Sequence, residues 1–207
     1  MVSQPSPDRE RSSAPLRAHN AIPRDRVLDA ARDIVVDVGL RGLTMADLAR
    51  RADVSRATLY RTWPNADGVV ADLFTREFRT LLQTAMRSVS GDDARSMLVA
   101  LSVAVVRLAR RLPVLQRVIE LDPGFIAPYL LHRRGASTDD QMQLLEDLIR
   151  DGQTDGSIRA GDAAVMASAV LLDAWAFVLT GPVFVGEDHL DALDAELRLQ
   201  LDRFLTP

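Results

Sequence analysis

Ser55, Arg56, Ala57, Thr58, Tyr60 and Arg61 set two guanidinium groups and three hydroxyls around one apolar residue, Leu59. Groups of this kind are donors for oxyanions and base edges rather than bond-breaking machinery. A guanidinium fork pairs with guanine O6 and N7 or with phosphate, and hydroxyls reach phosphate oxygens. If the segment is a helix, Leu59 turns inward and its neighbours turn outward to varying degrees. Arg56 then stands in the first turn, where a recognition helix touches base edges. Ala57 is small enough to let the backbone approach, and Thr58 suits a thymine methyl or a phosphate. Tyr60 and Arg61 fit as clamps on the sugar-phosphate backbone. Thr44 opens the preceding segment and offers hydroxyl and amide donors at the positive end of a helix.

Three elements must position these groups. Val27, Ala30, Ala31, Ile34, Val35 and Val38 recur at helical spacing after Pro23, and Gly39 suits a C-terminal cap. A second, short helix starts at Thr44, whose hydroxyl caps it with Asp47 three residues on, and Leu48, Ala49 and Ala52 form its inner face. Asp53-Val54 interrupts, Ser55 caps again, and a third short helix runs to Trp63. Two short helices joined by a tight turn and docked on a longer one have the layout of a helix-turn-helix.

The stretch from Gly42 to Asn65, and above all VSRATLYRTWPN, resembles the DNA-binding domain of the TetR family of regulators, over roughly residues 24–75. The resemblance implies backbone clamps at Tyr60 and Arg61, a helical body that dimerises through its last two helices, and a small-molecule pocket within that body. Two positions depart from the family pattern. Ala66 stands where lysine is frequent, which puts one phosphate contact in doubt, and Asp53 occupies a turn position often held by glycine. Aspartate tolerates a left-handed backbone better than most residues.

The rest of the chain reads as helix almost throughout, giving an all-α fold of about nine helices. We divide it into a disordered N-terminal arm (1–21), a helix-turn-helix domain (22–66) and a ligand-binding and dimerisation domain (67–207). In the body, helices are predicted over 66–88, 93–112, 114–121, 138–151, 162–180 and 188–205. A broken turn around Pro128 is expected, and stops at Gly152 with Gly156 and at Gly181-Pro182 with Gly186. Val69, Val70, Leu73, Phe74, Phe78, Leu81 and Leu82 are expected to face a core separate from that of the DNA-binding domain.

Composition narrows the function. Cysteine is absent, and His19, His132 and His189 are not at ligand spacing, so a thiol nucleophile and a metal site are not expected. No cofactor motif is visible. Asp139-Asp140 lies at a helix start, where acids serve the dipole. The reading is therefore not an enzyme. The net charge is −4, yet residues 1–63 hold eleven arginines against eight acids, a basic front on an acidic body. The first twenty residues lack an apolar signal, and the apolar run 163–180 carries Asp173, so a buried bundle helix is expected rather than a membrane span, in a cytoplasmic protein.

A single helix-turn-helix reads few base pairs, so a homodimer on a palindromic operator is expected. Its interface is placed on 162–180 and 188–205, the latter carrying a stripe of Leu190, Leu193, Leu197, Leu201 and Phe204. Phe125, Tyr129, His132, Asp173, Trp175 and Phe177 are candidate contacts for a small apolar or amphipathic effector. The leading reading is a ligand-responsive repressor. A helical binding or interaction protein with a weak or vestigial DNA head, and an activator, fit the same sequence.

Overall fold

A computed structural model describes residues 24–131 and 136–207. Among these residues there is no strand. The eleven α-helices are α1 (Arg24–Val38), α2 (Met45–Arg51), α3 (Arg56–Thr62), α4 (Ala66–Ser88), α5 (Ala94–Arg110), α6 (Pro113–Leu121), α7 (Pro123–Leu131), α8 (Ala136–Asp155), α9 (Ala163–Leu179), α10 (Gly181–Val185) and α11 (Leu190–Leu205). Short 3-10 turns at Leu40–Gly42 and Glu187–His189 join some of them. No described helix is long and apolar enough to cross a membrane. The proposed N-terminal arm and His132 lie outside the described residues.

The excess over nine helices has physical causes. Gly181-Pro182 starts a short helix instead of breaking one, because proline is preorganised for the first turn. Pro123 likewise opens α7, which is helical across Pro128 rather than a broken turn. Gly152 does not stop α8. It lies inside the helix, where a Cβ would come within 2.5 Å of Ile158, and the stop falls at Gly156, with φ +80°, as expected of that second glycine.

Two cores organise the molecule. In the first, α1, α2 and α3 bury Val27, Ala31, Ile34, Leu48 and Leu59, and Trp63 closes one end. Val69, Val70 and Leu73 of α4 join this core, as do Val114 and Val118 of α6. The second core lies among α5, α8, α9 and α11, with Leu81 from the far half of α4. The separate core expected for α4 holds for Leu81 and is corrected for Val69, Val70 and Leu73: one long helix serves both interiors, its start the head and its later part the body. Leu197 and Leu201, expected in a dimer stripe, are fully buried against the body's own core. α11 packs on α5, which uses that stripe within the subunit.

Candidate nucleic-acid interface and a cavity in the body

Recognition geometry begins with caps. The Thr44 hydroxyl accepts from the Asp47 amide at 3.1 Å and donates to the Asp47 carboxylate at 2.8 Å, so this proposed phosphate donor is committed to starting α2. Ser55 caps α3 by accepting from the Thr58 amide at 3.1 Å, and its hydroxyl bonds that of Thr58 at 2.7 Å. Leu59 is fully buried and fixes the rotation of α3. Ser55, Arg56, Ala57, Tyr60 and Arg61 are consequently exposed on one short helix, and Thr58 is half-buried.

The turn between α2 and α3 is held from outside. Asp53 has φ +52°, the only positive φ at a non-glycine among the described residues. Arg26, on α1, donates to the Ala52 carbonyl through Nε at 3.2 Å and to the Asp53 carbonyl through Nη2 at 2.9 Å. Its guanidinium also lies 3.7 Å from the Asp53 carboxylate. Sequence reasoning noted Asp53 and missed its clamp, since nothing in Arg26 alone distinguishes it from a solvated arginine.

Most arginines of the head are similarly engaged. Arg24 pairs with Asp72 at 2.6 Å and stacks over Trp63, Arg50 pairs with Asp47 at 2.6 Å, and Arg51 pairs with Asp37 at 2.9 Å. Arg56 differs: among the described residues it has no hydrogen-bond or ion-pair partner. A free guanidinium in the first turn of an exposed helix is available to an external acceptor.

The head is gripped by the body through α6. Arg117 donates to the Val36 carbonyl at 2.8 Å and the Asp37 carbonyl at 3.2 Å, which satisfies the open end of α1. Asp122, buried at the end of α6, accepts from the Leu40 amide at 2.8 Å and pairs with Arg41 at 3.2 Å. Gly39, at φ +79°, makes room: a Cβ there would stand 2.8 Å from the Asp122 carboxylate.

Within the body a cavity of about 80 Å³ lies between α4, α5, α8 and α9. Phe78, Leu101, Val105, Leu145, Val170 and Trp175 are among its walls. Among the described residues Trp175 is the one proposed effector contact that lines it. Phe125 stacks on Phe74 with ring centroids 5.7 Å apart, on the side of the head core. Phe177 packs at the edge of the second core, and its carbonyl accepts from Arg110 at 3.0 Å. Asp173 accepts from Gln200 of α11 at 3.0 Å, away from the cavity, and partial burial raises its pKa against the lowering effect of that bond. Nothing is described of the Tyr129 side chain. Sequence reasoning missed the cavity's aliphatic walls because a leucine facing a cavity and a leucine facing a core have the same spacing.

Residues 27–73 match the family model for bacterial regulatory proteins of the tetR family. That span takes in the start of α4 through Leu73, as the head core does. An uncharacterised HTH-type transcriptional regulator of Mycobacterium tuberculosis is 33% identical over 180 residues, 87% of this chain and 93% of the relative. Among solved structures, the transcriptional regulator FadR from Bacillus subtilis in complex with stearoyl-CoA superposes with a TM-score of 0.65 at 16% identity, covering 87% of this chain and 98% of the other. A transcriptional regulator from Saccharomonospora viridis in complex with choline gives 0.60 at 19% identity, with 89% and 97% covered.

Proposed function

The chain belongs to the TetR family of bacterial regulatory proteins, a transcription factor and not an enzyme, and from that premise we propose that it is a repressor that binds a palindromic operator as a homodimer and releases it when a small apolar or amphipathic effector occupies the body. The reading places a DNA-binding head in 22–66 and a sensing and dimerising body in 67–207, in a cytoplasmic protein.

One observation carries the DNA side: Arg56 is exposed and unpartnered on a helix whose neighbouring side chains, Ser55, Thr58, Tyr60 and Arg61, are small or hydrogen-bonding. We assign base reading to Arg56 with Ala57 and Thr58, and backbone contacts to Ser55, Tyr60 and Arg61 and to the main-chain amide of Thr44, whose hydroxyl is engaged by Asp47. The dimer surface is drawn from the outer faces of α9, α10 and α11. Val165, Leu172, Val183 and Phe184 are between 65% and 84% exposed there, a display of large apolar groups that marks an interface.

The effector is assigned to the cavity lined by Trp175, and solved neighbours of this fold crystallised with stearoyl-CoA and with choline support a small-molecule effector without fixing its chemistry. At about 80 Å³ the cavity is smaller than the roughly 150 Å³ that accommodates benzene. An occupant must therefore push its walls apart, and α4 is one of them. Because α4 also closes the head core, that displacement alters the spacing of the two heads and favours the state that does not fit the operator.

Affinity for the chain's own upstream DNA is expected to fall steeply and linearly on a log–log plot against salt, and a flat plot would contradict phosphate-dominated binding. Arg56→Ala is expected to cut discrimination between operator and scrambled DNA by about tenfold or more. Unchanged discrimination would remove Arg56 from the readout.

A further inference from the structure

Among the described residues the cavity wall carries no charged side chain. Three polar residues interrupt it: Ser102, Gln141 and Trp175. Ser102 is buried, and its hydroxyl already donates to the Leu98 carbonyl at 2.8 Å, so it offers an occupant lone pairs only. The Gln141 amide and the Trp175 indole N–H have no hydrogen-bond partner among the described residues.

This combination selects by charge. A carboxylate or an ammonium drawn between these walls loses its hydration and meets no counter-ion among the described residues. A neutral oxygen loses far less, and a free N–H donor is available to replace its water. Resting on the reading of this cavity as the effector site, we propose that the effector is an uncharged, mainly hydrocarbon molecule with one or two hydrogen-bonding oxygens, of the alcohol, ketone or ester kind. Fatty carboxylates and alkylammonium ions are rejected by desolvation. Gln141 and Trp175 donate to the oxygen, and a hydroxyl group has the further option of donating to Ser102.

Three probes of one chain length test this on the full-length protein: 1-octanol, octanoate and octyltrimethylammonium, titrated by calorimetry at pH 8, where the latter two are fully charged. Octanol is expected to bind one molecule per chain at least about tenfold more tightly than either ion, a difference of about 1.4 kcal/mol. Ala174→Leu, which fills the cavity wall, is expected to abolish that binding. Gln141→Leu, on the half-exposed α8 side, is expected to weaken it about threefold to tenfold and gives a second variant should the first fold poorly.

Octanoate or octyltrimethylammonium binding as tightly as octanol overturns the neutral-ligand assignment and leaves the effector site standing. Octanol binding that survives in both variants overturns it by placing the molecule elsewhere. Failure of all three probes to bind the folded chain takes down the effector-site reading itself, and the proposal with it.

Discussion

The head and the body are both built only from helices, yet they treat their interiors and their arginines differently. In the head, Thr44 and Ser55 cap two successive short helices and Asn65 caps the long α4 that follows, Leu48, Leu59 and Trp63 fill the space between them, and Arg26 locks the left-handed turn at Asp53. The body uses longer helices and leaves a gap at its centre, between walls that side chains of α4, α5, α8 and α9 fail to close. A reader of DNA needs its donors held at fixed positions, which short capped helices on a filled core provide. A sensor needs an interior that an occupant can reshape, and an incompletely filled bundle provides that. Two elements, α4 and α6, belong to both, so neither region can change without consequence for the other.

The largest test of that contrast is Leu59→Ala. The side chain is fully buried and sets the rotation of α3, so its loss is expected to cost about 2–5 kcal/mol and to abolish operator binding. The two tryptophans divide between the regions, Trp63 in the head and Trp175 in the body, and report each separately. Urea unfolding followed by single-tryptophan variants is expected to show the head transition shifting more than that of the body. Equal shifts would mean that α4 makes the chain one cooperative unit and that the contrast is one of shape only.

The α6 latch comes next. Asp122→Ala leaves the Leu40 amide without its buried acceptor, an effect of about 1–3 kcal/mol. Loss of amide protection at Leu40 by hydrogen exchange is expected, with operator affinity falling about tenfold and Trp175 emission unchanged. Full operator affinity alongside lost protection would show that the latch steadies the head without aligning it.

A smaller effect is expected at the clamp on the turn. Arg26→Gln removes the charged fork from the Ala52 and Asp53 carbonyls, and the left-handed conformation of Asp53 then stands unsupported at about 1 kcal/mol. Operator affinity is expected to fall about fivefold, and Asp53→Gly in the same chain to recover most of it, because glycine adopts that backbone freely. A double variant as weak as the single one would show that Arg26 acts through charge toward DNA, not through the turn.

These regions also differ in how far the amino-acid sequence discloses them. The recognition helix was legible because its chemistry is carried by residue type: a cap at Ser55, one apolar anchor at Leu59 and donors between them lead to one arrangement. The cavity was not. Phe78, Leu101, Val105 and Leu145 obey the helical spacing of any core residue, and a gap is a property of how several helices meet rather than of any one of them. Asp173 and Phe177 drew attention as the polar and aromatic exceptions on an apolar helix, but the rotation of α9 turns Asp173 toward Gln200 and sets Phe177 at the core's edge. The α6 latch joins residues more than eighty positions apart, at Arg117 and Val36, and no local pattern announces it.

The smallest expected effect lies on the outer surface of the body, where Asp173 is the polar exception on α9. Desolvation raises its pKa and the Gln200 bond only partly offsets this, so the folded chain holds the Asp173 proton more tightly than the unfolded chain does. Protonation therefore favours folding: the benefit grows as pH falls through the raised folded pKa, and above it the charged carboxylate weighs against the fold. Asp173→Asn keeps an acceptor for Gln200 without the charge. It is expected to raise the melting temperature slightly at pH 7, to leave it unchanged well below the folded pKa, and to flatten the pH dependence between those limits. If the outer face of α9 is the dimer surface, association buries this group further, and the gain at pH 7 should then grow with protein concentration. A gain independent of concentration would place the two-fold contact on another face of the body.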